Sequence, residues 1–181
     1  DVSGSMTCSY EQVSVRPIDV SVSLGLYVAE RTNGPFRNYM ITFSSAPEMH
    51  KIKGSNLQER LSSVCSAAWG MTTNIEGTFQ AILHHAKASN AAQDDMPNII
   101  LILSDMEFDA CADTDETAML SIRRQYEESG FELPKIVFWN LNARAGNVPV
   151  RFNEKGVALV SGFSPSIMKS LMQGGEISPQ S

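Results

Sequence analysis

The chain opens on DVSGSM, which places one carboxylate and two hydroxyls at alternating positions, Asp1, Ser3 and Ser5. Two more oxygen-bearing residues stand at the ends of predicted elements. Thr73 lies just before a predicted helix, and Asp105 directly follows the apolar run IILILS. All five side chains supply oxygen and none supplies sulfur or imidazole, which suits a hard cation. These residue types predict a Mg²⁺ site built from three loops, with Mn²⁺ or Ca²⁺ as possible substitutes.

The rest of the chain must bring these three loops to one place. Apolar runs typical of strands alternate with helical patterns, which indicates an α/β domain with a mostly parallel sheet in three layers. Ligands of such sheets bind outside the carboxyl ends of the strands. The predicted strands are 38–44, 48–52, 98–104, 135–141 and 156–162, and the predicted helices are 16–32, 56–68, 74–89, 113–129 and 166–173.

Composition excludes several classes of function. The net charge of −6 and the scattered basic residues disfavour a nucleic-acid surface. No apolar run is long enough to cross a membrane. The three cysteines are far apart and form neither a zinc motif nor a disulfide framework. We therefore expect an intracellular protein, cytoplasmic or within a virion, that contacts neither membrane nor nucleic acid through this domain.

The pattern Asp-x-Ser-x-Ser, then Thr, then Asp resembles the metal-ion-dependent adhesion site of von Willebrand factor A domains. The stretch GMTTNI resembles the Gly-Gly-Thr-Asn-Ile loop of that family with one residue inserted, so Thr73 aligns with the family threonine and Thr72 is the alternative. DVSGSM, SDMEF, VFWNLNA and ALVSGFSPS are similar to an uncharacterised family of plants, amoebae and giant viruses, related to the Ro (TROVE) ribonucleoproteins. Its members join a helical region to such an A domain.

This resemblance implies a doubly wound, Rossmann-like A domain over residues 1–173, followed by a flexible tail, 174–181. Ser3, Ser5 and Thr73 would contact the ion through their hydroxyls, and Asp1 and Asp105 would act largely through water. Neutral ligands leave most of the ion's charge unquenched. An open coordination position would then attract an Asp or Glu of a partner protein.

In this architecture a central apolar strand precedes the first metal loop, yet no strand stands before Asp1. A free α-amino group beside a divalent cation is also unfavourable. We therefore expect this chain to be part of a longer protein.

Each metal loop carries a methionine, and Met6, Met71 and Met106 could form an apolar collar around the ion that contacts the partner. Glu107 could add an acidic rim to that surface. The alternative readings are core packing for the methionines and a solvated loop charge for Glu107.

Signatures of catalysis are missing from the sequence. There is no GxxxxGK[ST] or GxGxxG phosphate loop and no GxSxG nucleophile elbow. Ser3 stands where an Asp-x-Asp phosphotransferase would have its second acid. The sequence thus predicts a non-enzymatic, metal-dependent protein-binding module. The alternative is an assembly or structural component of a ribonucleoprotein-like or virion particle, with RNA bound by a separate helical region.

Overall fold

The computed structural model of the protein describes residues 16–42, 46–67, 74–104, 116–141 and 157–161. Each predicted helix and strand that falls within these residues is confirmed, with slightly shorter bounds. The predicted last helix, 166–173, and the tail, 174–181, lie outside the described residues. In chain order the elements are α1 (Pro17–Arg31), β1 (Tyr39–Ile41), β2 (Met49–Lys51), α2 (Leu57–Cys65), α3 (Ile75–Ala88), β3 (Ile99–Ser104), α4 (Glu116–Glu128), β4 (Lys135–Asn140) and β5 (Val157–Ser161), with single 3-10 turns at Gly34–Phe36 and Gln93–Asp95.

The described strands form two small sheets in a mixed α/β arrangement. β3, β4 and β5 pair in parallel in that order. β1 and β2 pair antiparallel, with Met40 opposite His50. The parallel pairing confirms the prediction for the second half of the chain. The prediction of one mostly parallel sheet is met only in part, because no described strand joins β1 to β3.

Helices pack on both faces of the parallel sheet. Ile136 and Phe138 of β4 belong to a core with Phe79 of α3 and Tyr126 of α4. Their neighbours in β4, Val137 and Trp139, point to the other face and pack against α1. This alternation follows from the two-residue period of a strand. β4 is buried on both faces, as its continuous apolar sequence requires.

A second face of α1 holds the antiparallel pair in place. Leu26 and Ala29 pack with Ile52, which follows β2, and with Val64 of α2. α1 is therefore apolar on more than one side and contacts both sheets.

The apolar strand β3 is less buried than its sequence predicts. Only Ile102 and Ser104 are buried, while Ile99, Ile100 and Leu101 remain half-exposed. In β4 the residues paired with Ile100 and Leu101, which are Ile136 and Val137, are buried. The difference arises because β3 has a strand neighbour on one side only within the described part of the chain.

Candidate functional site

Every residue of the predicted metal site lies outside the described residues, in segments that adjoin described elements. The structure therefore neither brings these residues together nor separates them. The residues concerned are the predicted ligands Asp1, Ser3, Ser5, Thr73 and Asp105, the alternative ligand Thr72, and the predicted partner surface Met6, Met71, Met106 and Glu107.

The carboxyl edge of the parallel sheet is described, and Asp105 is the next residue after it. β3 ends at Ser104, which is paired in register with Asn140, and Asn140 with Ser161. Three neighbouring strands thus end together on polar residues. Ser104 is buried, and its carbonyl accepts a hydrogen bond of 2.8 Å from the amide of Leu141.

This row of polar residues was not predicted from the sequence. A signal for it exists, since the apolar runs IILILS, KIVFWN and VALVS all end on a short polar residue. A parallel sheet places such residues side by side only if the strands end in register, and register cannot be deduced from one strand alone.

The amino end of α3 is defined by a side-chain cap. The Asn74 carboxamide oxygen accepts a hydrogen bond of 2.8 Å from the amide of Gly77, and the Thr78 hydroxyl donates to the Asn74 carbonyl at 2.9 Å. Asn is a preferred residue at this position because its oxygen satisfies a helix amide that has no partner within the helix. Thr73 is therefore joined directly to a fixed helix end.

Gly77 leaves the room that this cap needs. A Cβ atom at Gly77 would lie 2.8 Å from the side-chain Nδ2 of Asn74 and 3.0 Å from Cδ of Pro47. Any larger residue would press the capping side chain out of position. Glycine at position 77 therefore allows Asn74, the residue that follows Thr73, to cap the start of α3.

The path of the chain is compatible with a position of this helix end near the carboxyl edge of β3. α3 has 14 residues and β3 has six, so both are about 20 Å long. α3 connects to the amino end of β3 through residues 89–98, and Phe79 and Ile82 pack in the same core as Ile102. A helix that runs back along the following strand begins at the carboxyl end of that strand. The described parts of α3 and β3 are thus compatible with a site shared by Thr73 and Asp105.

Within the described residues there is no group of three His, Cys, Asp or Glu side chains that could hold a metal. The adjacent histidines of α3 point apart, as helix geometry requires. His84 is exposed, and His85 lies against Phe36 and Tyr39, with its Nε2 at 2.9 Å from the carbonyl of Pro35. His85 therefore has a packing role.

The phenol of Tyr126 has a strongly raised pKa, and it is buried in the core on one face of the parallel sheet. Burial raises the pKa of Tyr126 far above its ordinary value. Its hydroxyl donates a hydrogen bond of 3.0 Å to the carbonyl of Phe79 and so joins α4 to α3. The shift follows from this structural position.

The described elements define a mixed α/β domain whose parallel sheet ends on polar residues. The chain belongs to the family described as domain of unknown function DUF7788, which it matches over residues 1–181. It is 34% identical over 183 residues to an uncharacterized protein of Acanthamoeba polyphaga mimivirus. That match covers 100% of this chain and 31% of the viral protein, so the chain spans about a third of its relative's length. No solved structure matches the chain.

No helix in the described part of the chain has the length and apolar character needed to cross a membrane.

Proposed function

We propose that this domain is a non-enzymatic protein-binding module that holds a divalent cation, with Mg²⁺ as the expected ion, at the carboxyl edge of its parallel sheet. Asp1, Ser3, Ser5, Thr73 and Asp105 provide the oxygen ligands, directly or through water. The fold belongs with the three-layer, doubly wound A domains. The ion presents an open coordination position to a carboxylate of a partner protein.

The observation that carries the proposal is the end of β3 at Ser104, the residue before Asp105 in the sequence. Ser104 is paired in register with Asn140, and Asn140 with Ser161, at the carboxyl edge of the parallel sheet. Ligands of parallel α/β sheets bind beyond the carboxyl ends of the strands. The capped start of α3 adds support, because it fixes the residue that follows Thr73.

The chemistry of the ligand set favours recognition over catalysis. Serine and threonine hydroxyls are neutral, so two carboxylates are the only anions in the proposed set. An ion that keeps much of its positive charge attracts an external carboxylate strongly where water is excluded. Met6, Met71 and Met106 would surround the ion with an adaptable apolar surface, and Glu107 would add to its rim.

Water proton relaxation with bound Mn²⁺ tests this function. Water in the open position of the bound ion gives a strong enhancement of relaxation. A capped tripeptide with a central aspartate is expected to displace that water and lower the enhancement. The same tripeptide with asparagine is the matched control and is expected to have little effect. Equal effects of the two peptides would contradict carboxylate recognition.

The alternative function places the same metal contact inside a larger particle. The viral relative is about three times as long as this chain, so it has polypeptide beyond the matched region. In that case RNA would be bound by another part of the protein, and this domain would join subunits.

A further inference from the structure

The turn between α1 and β1 contains the only Asn-Gly pair of the chain, Asn33 and Gly34. Every other asparagine is followed by a residue that carries a side chain. An asparagine can react with its own backbone, because attack of the next amide nitrogen on its Cγ atom closes a five-membered ring. A side chain on the next residue hinders this attack, and glycine has none. Asn33 therefore has the least hindered path to this reaction in the sequence.

The fold requires the glycine of this pair. Gly34 has a φ of +65°, which is the left-handed region that residues with a side chain rarely adopt. A Cβ atom at this position would also lie 3.3 Å from Oδ1 of Asp95. A change at Gly34 would therefore strain the turn, so the fold itself maintains the reactive pair.

Neither reacting group of the pair is restrained by a hydrogen bond among the described residues. Asn33 is exposed and directly precedes the 3-10 turn Gly34–Phe36, yet its side chain makes no capping hydrogen bond. The amide of Gly34 likewise donates to no described acceptor. The carboxamide of Asn74, by contrast, accepts a hydrogen bond from the amide of Gly77. The Asn33 carboxamide is thus accessible to attack while the protein is folded.

We propose that Asn33 is a site of spontaneous deamidation in the folded protein. The amide nitrogen of Gly34 attacks Cγ of Asn33 and loses its proton, and the carboxamide nitrogen leaves as ammonia. A water molecule from the solvent then opens the cyclic imide at one of its two carbonyl groups. The products are aspartate and isoaspartate, in which the main chain runs through the former side chain. The reaction needs water alone and no enzyme, oxidant or metal.

The isoaspartate product disturbs a turn whose two ends are fixed. α1 ends at Arg31, two residues before Asn33. On the other side, the carbonyl of Pro35 accepts a hydrogen bond of 2.9 Å from Nε2 of His85, and the buried ring of Phe36 packs edge-on against the same imidazole at 5.2 Å. Isoaspartate lengthens the main chain within this short connection. It therefore displaces Pro35 and Phe36 from His85.

Both products also change the charge at the junction of the two 3-10 turns. Asn33 lines a cavity of about 270 Å³ together with Asp94 and Asp95. Deamidation adds a third carboxylate to this cavity in a chain whose net charge is already −6. Repulsion among exposed like charges is weakened by salt. The modified protein is therefore expected to lose more stability at low ionic strength than at high ionic strength.

Mass spectrometry of tryptic peptides tests the proposal. The folded protein is incubated in EDTA at pH 8.5 and 37 °C in water enriched in oxygen-18, and a sample taken before incubation gives the background. Trypsin releases Asn33 in the peptide 32–37. This peptide is expected to gain one heavy oxygen and to separate into aspartate and isoaspartate forms. Asn90, which is exposed but followed by Ala91, is the internal control and should convert about tenfold or more slowly.

Two variants and one change of conditions make the test specific. Asn33→Gln keeps a carboxamide but would need a larger ring, so it is expected to stop conversion at position 33, whereas Asn90→Gln should leave conversion there unchanged. In urea the unfolded chain should convert at a rate within about tenfold of the folded chain, because local opening of a turn that lacks hydrogen bonds requires little free energy.

Three results would overturn the proposal. The first is a peptide 32–37 that converts no faster than the peptide containing Asn90. The second is aspartate without isoaspartate, which would indicate direct hydrolysis of the side chain in place of backbone attack. The third is conversion in urea only, which would show that the folded turn protects Asn33. All samples lack metal, so none of these results bears on the proposed function.

Discussion

At the scale of single residues, two glycines show how the surroundings of a position determine the effect of an added methyl group on stability. Both Gly25 and Gly77 lie in helices, where alanine is intrinsically better by roughly 0.5–1 kcal/mol. Among the residues that the structure describes, none lies within 4 Å of a Cβ atom at Gly25, whereas Gly77 lies against Asn74 and Pro47. The same substitution should therefore have opposite effects at the two positions.

We predict that Gly25→Ala stabilises residues 1–181 by about 0.5–1 kcal/mol, because the new methyl group meets no atom of the described residues within 4 Å. Gly77→Ala should give no gain, or a loss of up to about 1 kcal/mol, because it displaces the Asn74 cap. Urea denaturation of both variants measures the difference. A gain for Gly77→Ala as large as that for Gly25→Ala would show that the cap has no such role.

Tyr126 gives a prediction about alkaline pH. Its folded-state pKa lies above the unfolded value of about 10 because the phenol is buried. The folded state therefore holds its proton more tightly, and this contribution to stability is complete below pH 10 and is lost as pH rises above it. The free energy of unfolding should fall between pH 9 and 11.

Tyr126→Phe should reduce the loss of stability at alkaline pH. It should also lower the free energy of unfolding by about 1 kcal/mol at pH 7, since the hydrogen bond to the carbonyl of Phe79 is lost. Tyr27→Phe is the matched control, because Tyr27 is 42% exposed. Denaturation curves at pH 7, 9 and 11 compare the three proteins. If Tyr126→Phe and the original chain lose stability equally above pH 9, burial of this phenol does not shape the pH dependence.

At the scale of elements, periodicity predicted most of what the structure describes. In α3 the apolar residues Ile75, Phe79, Ile82 and Leu83 recur at helical spacing in the sequence, and all four are buried. Asn56 lies directly before α2 and is a residue type preferred as an N-cap, and its side chain accepts a hydrogen bond from the amide of Glu59. Local patterns sufficed here because the signals for a cap and an apolar face lie within a few residues of one another.

Non-local features could not be predicted in this way. Continuous apolar residues indicated that β3 is buried on both faces, yet Ile99–Leu101 are half-exposed. Burial of a strand depends on its neighbours in the sheet, and the tertiary fold determines which strands are neighbours. The polar row of Ser104, Asn140 and Ser161 likewise required the register between strands.

The site itself remains a prediction. The five ligand types come from the sequence, and the structure describes only elements that adjoin their segments in the chain. The ends of β3 and α3 agree with the predicted location, because a strand end and a capped helix start adjoin Asp105 and Thr73.

At the scale of the whole molecule, net charge predicts behaviour toward RNA. A chain with a formal charge of −6 offers few clustered cations to replace the counterions of phosphates. We expect residues 1–181 to retain no RNA in filter binding at about 50 mM salt. Retention that falls steeply with added salt would instead indicate a direct phosphate-binding surface on this domain.

The most direct test of the central claim is Mn²⁺ affinity, measured by electron paramagnetic resonance of the free ion. Asp105→Asn and Thr73→Val remove one charged and one neutral ligand, and each is expected to weaken binding by about tenfold or more. Asp94→Asn is the control, since it removes the same charge from an exposed position in the turn before β3. The account predicts a loss for the first two variants and none for the control, whereas equal Mn²⁺ affinity in all three variants and the original chain would contradict it.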